Sequence, residues 1–185
     1  GFIGEFGTPQ DDDRTMLLHN GIWPAMMTGA AITPLMWNDG DNYGEMSAED
    51  FAQMRHLSEF IEDLDFREHR FQTTEVGEGL GRPRVDGEDI RLYALRGENL
   101  HLLWLHDETP GETIGNVQII YTGAVPGTYR VQFFDPWTGA WYRNWTEAVK
   151  DGELRIDAVN FSRDIALKLI REDAGEYDEA SLFEF

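Results

Sequence analysis

The chain has 185 residues, 41% of them hydrophobic, enough to bury a core in one large domain or two small ones. It contains no apolar run of about eighteen residues that could form a membrane span. A formal net charge of −20 disfavours nucleic acid, anionic lipid and anionic polysaccharide as partners, and the absence of cysteine removes disulfides, thiol catalysis and cysteine–zinc sites together.

The acidity belongs to the whole surface. Residues 1–72 hold 14 acids against 4 bases, and the remainder holds 21 against 11. Of the 15 bases only Lys150 and Lys168 are lysines. Such a surface suits salty surroundings, and it equally suits an ordinary acidic secreted enzyme. The chain opens in mid-strand, with neither a methionine nor a basic, apolar leader, so it reads as a fragment whose start, and any export signal of a secreted or periplasmic protein, lie upstream.

Phe2 and Ile3 read as the end of a short buried strand, with Glu5 at its carboxyl end between glycines that allow close approach. Thr8 to Asp13 form an acidic loop feeding a helix from about Arg14 to Met27, where negative charge complements the dipole. Met16, Leu17, Ile22, Trp23 and Met26 form its apolar side. Pro24 should kink it or restart it after Gly21, and Gly29 should end it. Ala30 to Trp37 is a continuous apolar run, broken by Thr33 and Pro34, that reads as a strand buried on both faces. Asn38 to Glu45 is a loop. Ser47 and Asp50 make a capping box for a helix from about Ala48 to Leu64, with Phe51, Met54, Leu57, Ile61 and Leu64 as its buried stripe.

From Thr73 to Glu88 the periodicity stops. This glycine-rich stretch reads as a connector between residues 1–72 and residues 89–185. Beyond it the period becomes two, in Ile90–Ala94, Leu100–Trp104, Val117–Tyr121, Tyr129–Phe133, Ala140–Trp145, Leu154–Ala158 and Ile165–Leu169. Short strands at this spacing, separated by glycine and proline turns, predict an antiparallel β-sandwich. Alternation puts Trp141 and Trp145 on one face and Tyr142 on the other. With Trp137 they form an aromatic set readable as sandwich core, as a docking surface or as a sugar-binding platform.

The order GFIGEFG, LLHNGIWPAMMTGAAITPLMWNDGD and SAEDFAQMRHLSEFIEDLDF resembles the last quarter of a clan-A (β/α)8-barrel glycoside hydrolase, of the cellulase and mannanase type, and the remainder resembles the C-terminal β-sandwich often fused to such barrels. The fold class implied is α/β plus all-β: the last two β/α units of a TIM barrel, then a sandwich. In that family the seventh strand ends in the nucleophilic glutamate, here matched by Glu5. The eighth strand ends in a tryptophan that floors the sugar site, here Trp37, followed by Asn38 and Asp39 where the family often has another tryptophan or an aspartate. The implied function is the C-terminal part of a retaining glycoside hydrolase, with its acid/base residue outside this chain, so the chain alone is expected to be inactive. Eight β/α units need about 250 residues, so the N-terminal remainder of the barrel is an expected partner, beside a carbohydrate substrate. The alternative is a non-catalytic carbohydrate-binding or structural module. No cofactor is implied.

Other chemistries fare worse. Asp11–Asp13 and the acids of Asp39–Glu45 lack the spacing of a calcium loop. His56, His69, His101 and His106 show no zinc pairing, His19 reads as structural, and no Gly-x-Ser-x-Gly is present.

Overall fold

A computed structural model of the chain describes residues 5–6, 14–30, 35–36, 46–74, 83–86, 90–107, 113–115, 117–122, 124–158 and 160–172. Two very short strands, β1 (Glu5–Phe6) and β2 (Leu35–Met36), pair in parallel, with Glu5 opposite Leu35 and Phe6 opposite Met36. A parallel pair needs a crossover, and α1 (Arg14–Met27) supplies it. The helix runs through Pro24 without the expected restart. Thr28 N–H still reaches Pro24 O at 2.9 Å, and the end closes as a Schellman turn: Gly29 at φ 72° donates to Met26 O (3.0 Å) and Ala30 to Ala25 O (3.0 Å).

Helix α2 (Ala48–Ile61) begins as its sequence predicts. Asp50 N–H donates to Ser47 Oγ at 3.0 Å, and Ser47 N–H returns a bond to Asp50 Oδ2 at 2.9 Å. The buried face differs from the expected stripe. Asp50, Gln53, His56, Leu57 and Phe60 are buried, while Phe51 and Met54 are 58% and 39% exposed. The helix therefore has two sides with apolar content, and the one carrying Phe60 and Leu57 is the one that packs inward.

The strands that follow are β3 (Gln72–Thr73), β4 (Pro83–Asp86), β5 (Ile90–Arg96), β6 (Leu100–Asp107), β7 (Gln118–Thr122), β8 (Gly127–Asp135), β9 (Ala140–Val149), β10 (Glu153–Asp157) and β11 (Asp164–Arg171). Among the described residues they form two antiparallel sheets, one in the order β3-β5-β6-β11-β8-β9 and one in the order β10-β7-β4. Within the glycine-rich stretch read as a connector, Thr73 closes β3 and Pro83–Asp86 make up β4, so it contributes backbone to both sheets.

The two sheets share one core, in which Leu103, Val131, Phe133 and Leu167 meet Ile119, Tyr121, Leu154 and Ile156. The opposite face of the larger sheet is covered too. Leu102, Trp104, Phe134 and Ala166 there meet Leu18, Ile22 and Trp23 of α1 and Leu57 and Phe60 of α2. This is why β6 is buried at every position from Leu100 to Leu105. Trp23 is fully buried, with its ring centroid 5.3 Å from Phe60, 6.2 Å from Phe134 and 6.3 Å from Trp104.

One register shift alters the aromatic set. Gln132 pairs with Asn144 and Phe134 with Trp141, so β9 advances three residues while β8 advances two. A bulge of this kind breaks the period of two. Trp141 consequently packs on Phe134 (4.9 Å) and Phe60 (6.0 Å) on the helical side, while Trp145 stacks on Phe133 (5.5 Å) of the inter-sheet core. The two tryptophans lie on opposite faces, contrary to the simple alternation, and no flat platform unites them.

Candidate functional site

In a parallel pair both strands end at the same edge, so the carboxyl ends of β1, which carries Glu5, and of β2 lie side by side. Trp37, Asn38 and Asp39 follow β2 directly in sequence and lie outside the described residues, as do Asp11–Asp13 and the loop to Glu45. Among the described residues no group of three His, Asp or Glu side chains could hold a metal ion.

The chain between these two strand ends, α1, is anchored at both of its halves. At the first turn Thr15 Oγ1 donates to Asp50 Oδ1 at 2.9 Å and Arg14 Nε lies 3.8 Å from Asp50 Oδ2. Burial pushes the Asp50 carboxyl up, but hydrogen bonds from Ser47 and Thr15, with the Arg14 charge, outweigh it and hold the carboxyl below its ordinary 3.8. The capping residue of α2 thus also fastens α1.

One turn further on, His19 is fully buried. Its Nδ1 meets Gln53 Oε1 of α2 at 2.7 Å, and its Nε2 bonds Asp164 Oδ2 at the start of β11. The same carboxylate oxygen accepts from Trp104 Nε1 at 3.1 Å, and the imidazole stacks on Trp137 at 4.0 Å. A lone histidine on an apolar helix face reads as structural, and this is where it sits: it joins α1, α2 and the larger sheet through one ring. Its partner Asp164 lies 145 positions away, so nothing local in the sequence announces the pair.

His56 is a second link, with Nδ1 3.1 Å from Pro136 O in the β8–β9 turn. That turn passes so close that a Cβ on Gly139, at φ 71°, would meet His56 Cδ2 at 2.6 Å. Only glycine fits there. A third link is Lys168, 1% exposed, whose Nζ pairs with Asp63 beyond α2 and lies 5.1 Å over Trp141 and 5.4 Å over Phe60. His101 is buried inside the inter-sheet core, stacked on Tyr121 at 4.9 Å, with Nδ1 3.5 Å from the Tyr121 hydroxyl. Burial first, and the Arg96 charge second, push its ring down to about 4.

No protein-family model matches the sequence. No curated protein matches it. Solved structures align with it. One described as "Glycoside hydrolase" aligns with a TM-score of 0.53 at 10% identity, covering 89% of this chain and 39% of its own. A GH30 endoxylanase from Clostridium papyrosolvens C71 gives 0.49 at 13% identity over 92% and 41%, and a glycoside hydrolase family 5 structure from Bacteroides vulgatus ATCC 8482 gives 0.39 at 16% over 67% and 24%. The chain spans well under half the length of each of these structures. On the first of them, the mixed α/β arrangement of the described residues, two helices and mostly antiparallel sheet, is similar to part of a glycoside hydrolase fold.

Proposed function

We propose that the chain is the C-terminal part of a retaining glycoside hydrolase that acts on a poly- or oligosaccharide by double displacement, with Glu5 as the nucleophile. The observation that carries the reading is the β1–α1–β2 unit, in which Glu5 stands in a strand paired in parallel with the strand that leads into Trp37. Catalytic side chains of a parallel α/β barrel stand at the carboxyl ends of its strands. In the reaction, the Glu5 carboxylate attacks the anomeric carbon while a second carboxyl, about 5–5.5 Å away, protonates the departing glycosidic oxygen. Water then attacks the glycosyl–Glu5 ester, giving its proton back to that second group and releasing the sugar with retained configuration. Trp37 stacks on the apolar face of the sugar, and Asn38 and Asp39 bind its hydroxyls.

The second carboxyl and the remaining strands belong to the N-terminal remainder of the barrel, on an upstream segment or a separate chain. Two facts support that partner. The β1–β2 pair is two-stranded among the described residues, and a two-stranded sheet is marginal alone. Phe51 and Met54 also leave an apolar flank of α2 uncovered among the described residues. The β-strands after residue 89 then serve as an accessory β-sandwich seated on the last barrel helices.

The test is covalent trapping in the complete assembly with a 2-fluoro glycoside, whose slow second step lets the glycosyl ester accumulate. Peptide mass mapping should place the label on Glu5, and Glu5→Gln should abolish turnover by at least about a thousandfold while retaining substrate binding. A label on another residue, or unchanged turnover by Glu5→Gln, rejects the assignment and leaves a non-catalytic module.

A further inference from the structure

Beside the His19–Asp164 link, three segments distant in sequence enclose a pocket of about 490 Å³, within the ~300–1,000 Å³ of small-molecule sites. One wall is the turn between β8 and β9. There Asp135 accepts hydrogen bonds from Trp137 N–H (2.8 Å), Thr138 N–H (3.2 Å) and the Tyr142 hydroxyl (2.8 Å). The facing wall joins Thr113 to the Asn160–Asp164 segment through paired backbone bonds between Ile114 and Phe161, at 2.7 and 3.0 Å. Arg163, in the left-handed region at φ 73°, holds its guanidinium 4.5 Å over the Trp137 ring. Trp137 is thus engaged by His19 and Arg163, and the aromatic surface left open at the pocket is Tyr142, 45% exposed.

The chemistry of these walls selects a ligand class. Hydroxyls of Thr113, Thr138 and Ser162 and the Asn160 amide offer donors and acceptors together. Two further polar atoms of the lining residues have no hydrogen-bond partner among the described residues: Asp164 Oδ1, an acceptor on a carboxylate 2% exposed, and Trp137 Nε1, a donor. Asp135 is engaged by three donors, and Asp164 is 2% exposed with its Oδ2 held by His19 and Trp104, so an organic cation gains little. An anion meets two carboxylates against one guanidinium in a chain of net charge −20.

We propose that this pocket binds one unit of a neutral saccharide, with the apolar face of the sugar on Tyr142 and its hydroxyls on Asn160 and the wall hydroxyls, at a site distinct from the β1–β2 edge. The inference rests on pocket geometry and does not depend on Glu5 being a nucleophile. It is tested by NMR on the complete assembly, with this chain isotope-labelled and carrying Glu5→Gln so that no hydrolysis consumes the probe, titrated in turn with neutral tetrasaccharides of glucose, xylose and mannose. At least one should shift the Trp137 indole N–H and the backbone amides of residues 160–163 saturably at millimolar concentration. Tyr142→Ala and Asn160→Ala, both changes at exposed positions, should each weaken that binding by about tenfold. Silence of the Trp137 indole with all three sugars overturns the proposal. So does a shift that both variants leave unchanged, or binding confined to a charged probe such as glucuronate or glucosamine. Saturation here with an inactive complete assembly would sink only the Glu5 reading, and silence here with an active one only the pocket.

Discussion

Replacing His101 with leucine should make the stability of this protein markedly less sensitive to acid. The imidazole lies within the inter-sheet core and titrates near 4 when folded, against 6.5 as the ordinary value. Its nearest polar groups come from three strands: Arg96, its cross-strand partner on β5, and the hydroxyl-bearing rings of Tyr121 on β7 and Tyr129 on β8. Because the folded value is depressed, the unfolded chain binds a proton that the folded one refuses. Stability from this group is therefore full above about pH 7, falls as pH drops through 6.5, and levels off below about 4. The whole difference is about 3 kcal/mol at roughly 1.4 kcal/mol per pKa unit, and about 2 kcal/mol of it is already lost at about pH 5. Urea unfolding of wild type and His101→Leu at about pH 7.5 and again at about pH 5 isolates this term, since the carboxylates titrate alike in both proteins. The variant's stability relative to wild type should improve by about 2 kcal/mol between the two conditions. A relative stability that does not move with pH, or a His101 ring shown by NMR to titrate near 6.5, refutes the reasoning.

Trp23→Ala should cost about 3–5 kcal/mol, because the indole fills the space between both helices and the sheet and nothing nearby can collapse into it; thermal unfolding checks this. His19→Leu should cost a similar amount, about 3–5 kcal/mol, by leaving Asp164 buried with Trp104 as its one side-chain donor among the described residues. The double variant His19→Leu/Asp164→Leu should recover part of that loss in the same denaturant assay. Lys168→Met should change stability by less than Asp63→Ala, which leaves the buried ammonium without its counter-ion at a cost of about 1–2 kcal/mol; the opposite ranking would mean that the Lys168 charge is satisfied elsewhere.

What could be read in the sequence was local. Ser47 and Asp50 state their capping box within four residues, Gly29 its helix stop, and the alternating strands their period, because each depends on neighbours along the chain. What escaped was set by contacts between distant segments. Phe133 and Phe134 are adjacent yet serve opposite cores, and only the β8–β9 pairing reveals the extra residue that turns Trp141 and Trp145 apart. The exposed Phe51 and buried Gln53 invert the expectation for α2, since the packed side of that helix is decided by where His19 and Phe134 stand. Of the candidate residues at the strand edge, Glu5 lies in the short strand that its sequence announced, while the role proposed for it comes from the resemblance of the stretch around it. The pocket near Tyr142 was not legible, being assembled from three stretches with no shared motif.

Helix α1 is at once the bridge between two parallel strands and the roof of the larger antiparallel sheet. Cutting the gene within the glycine-rich stretch would therefore not liberate a tidy module. The excised C-terminal piece would present Leu100, Leu102, Trp104, Phe134 and Ala166 to solvent, a greasy flank that invites precipitation during expression. Any recombination that grafts these sheets onto another catalytic body must carry the two helices along with them.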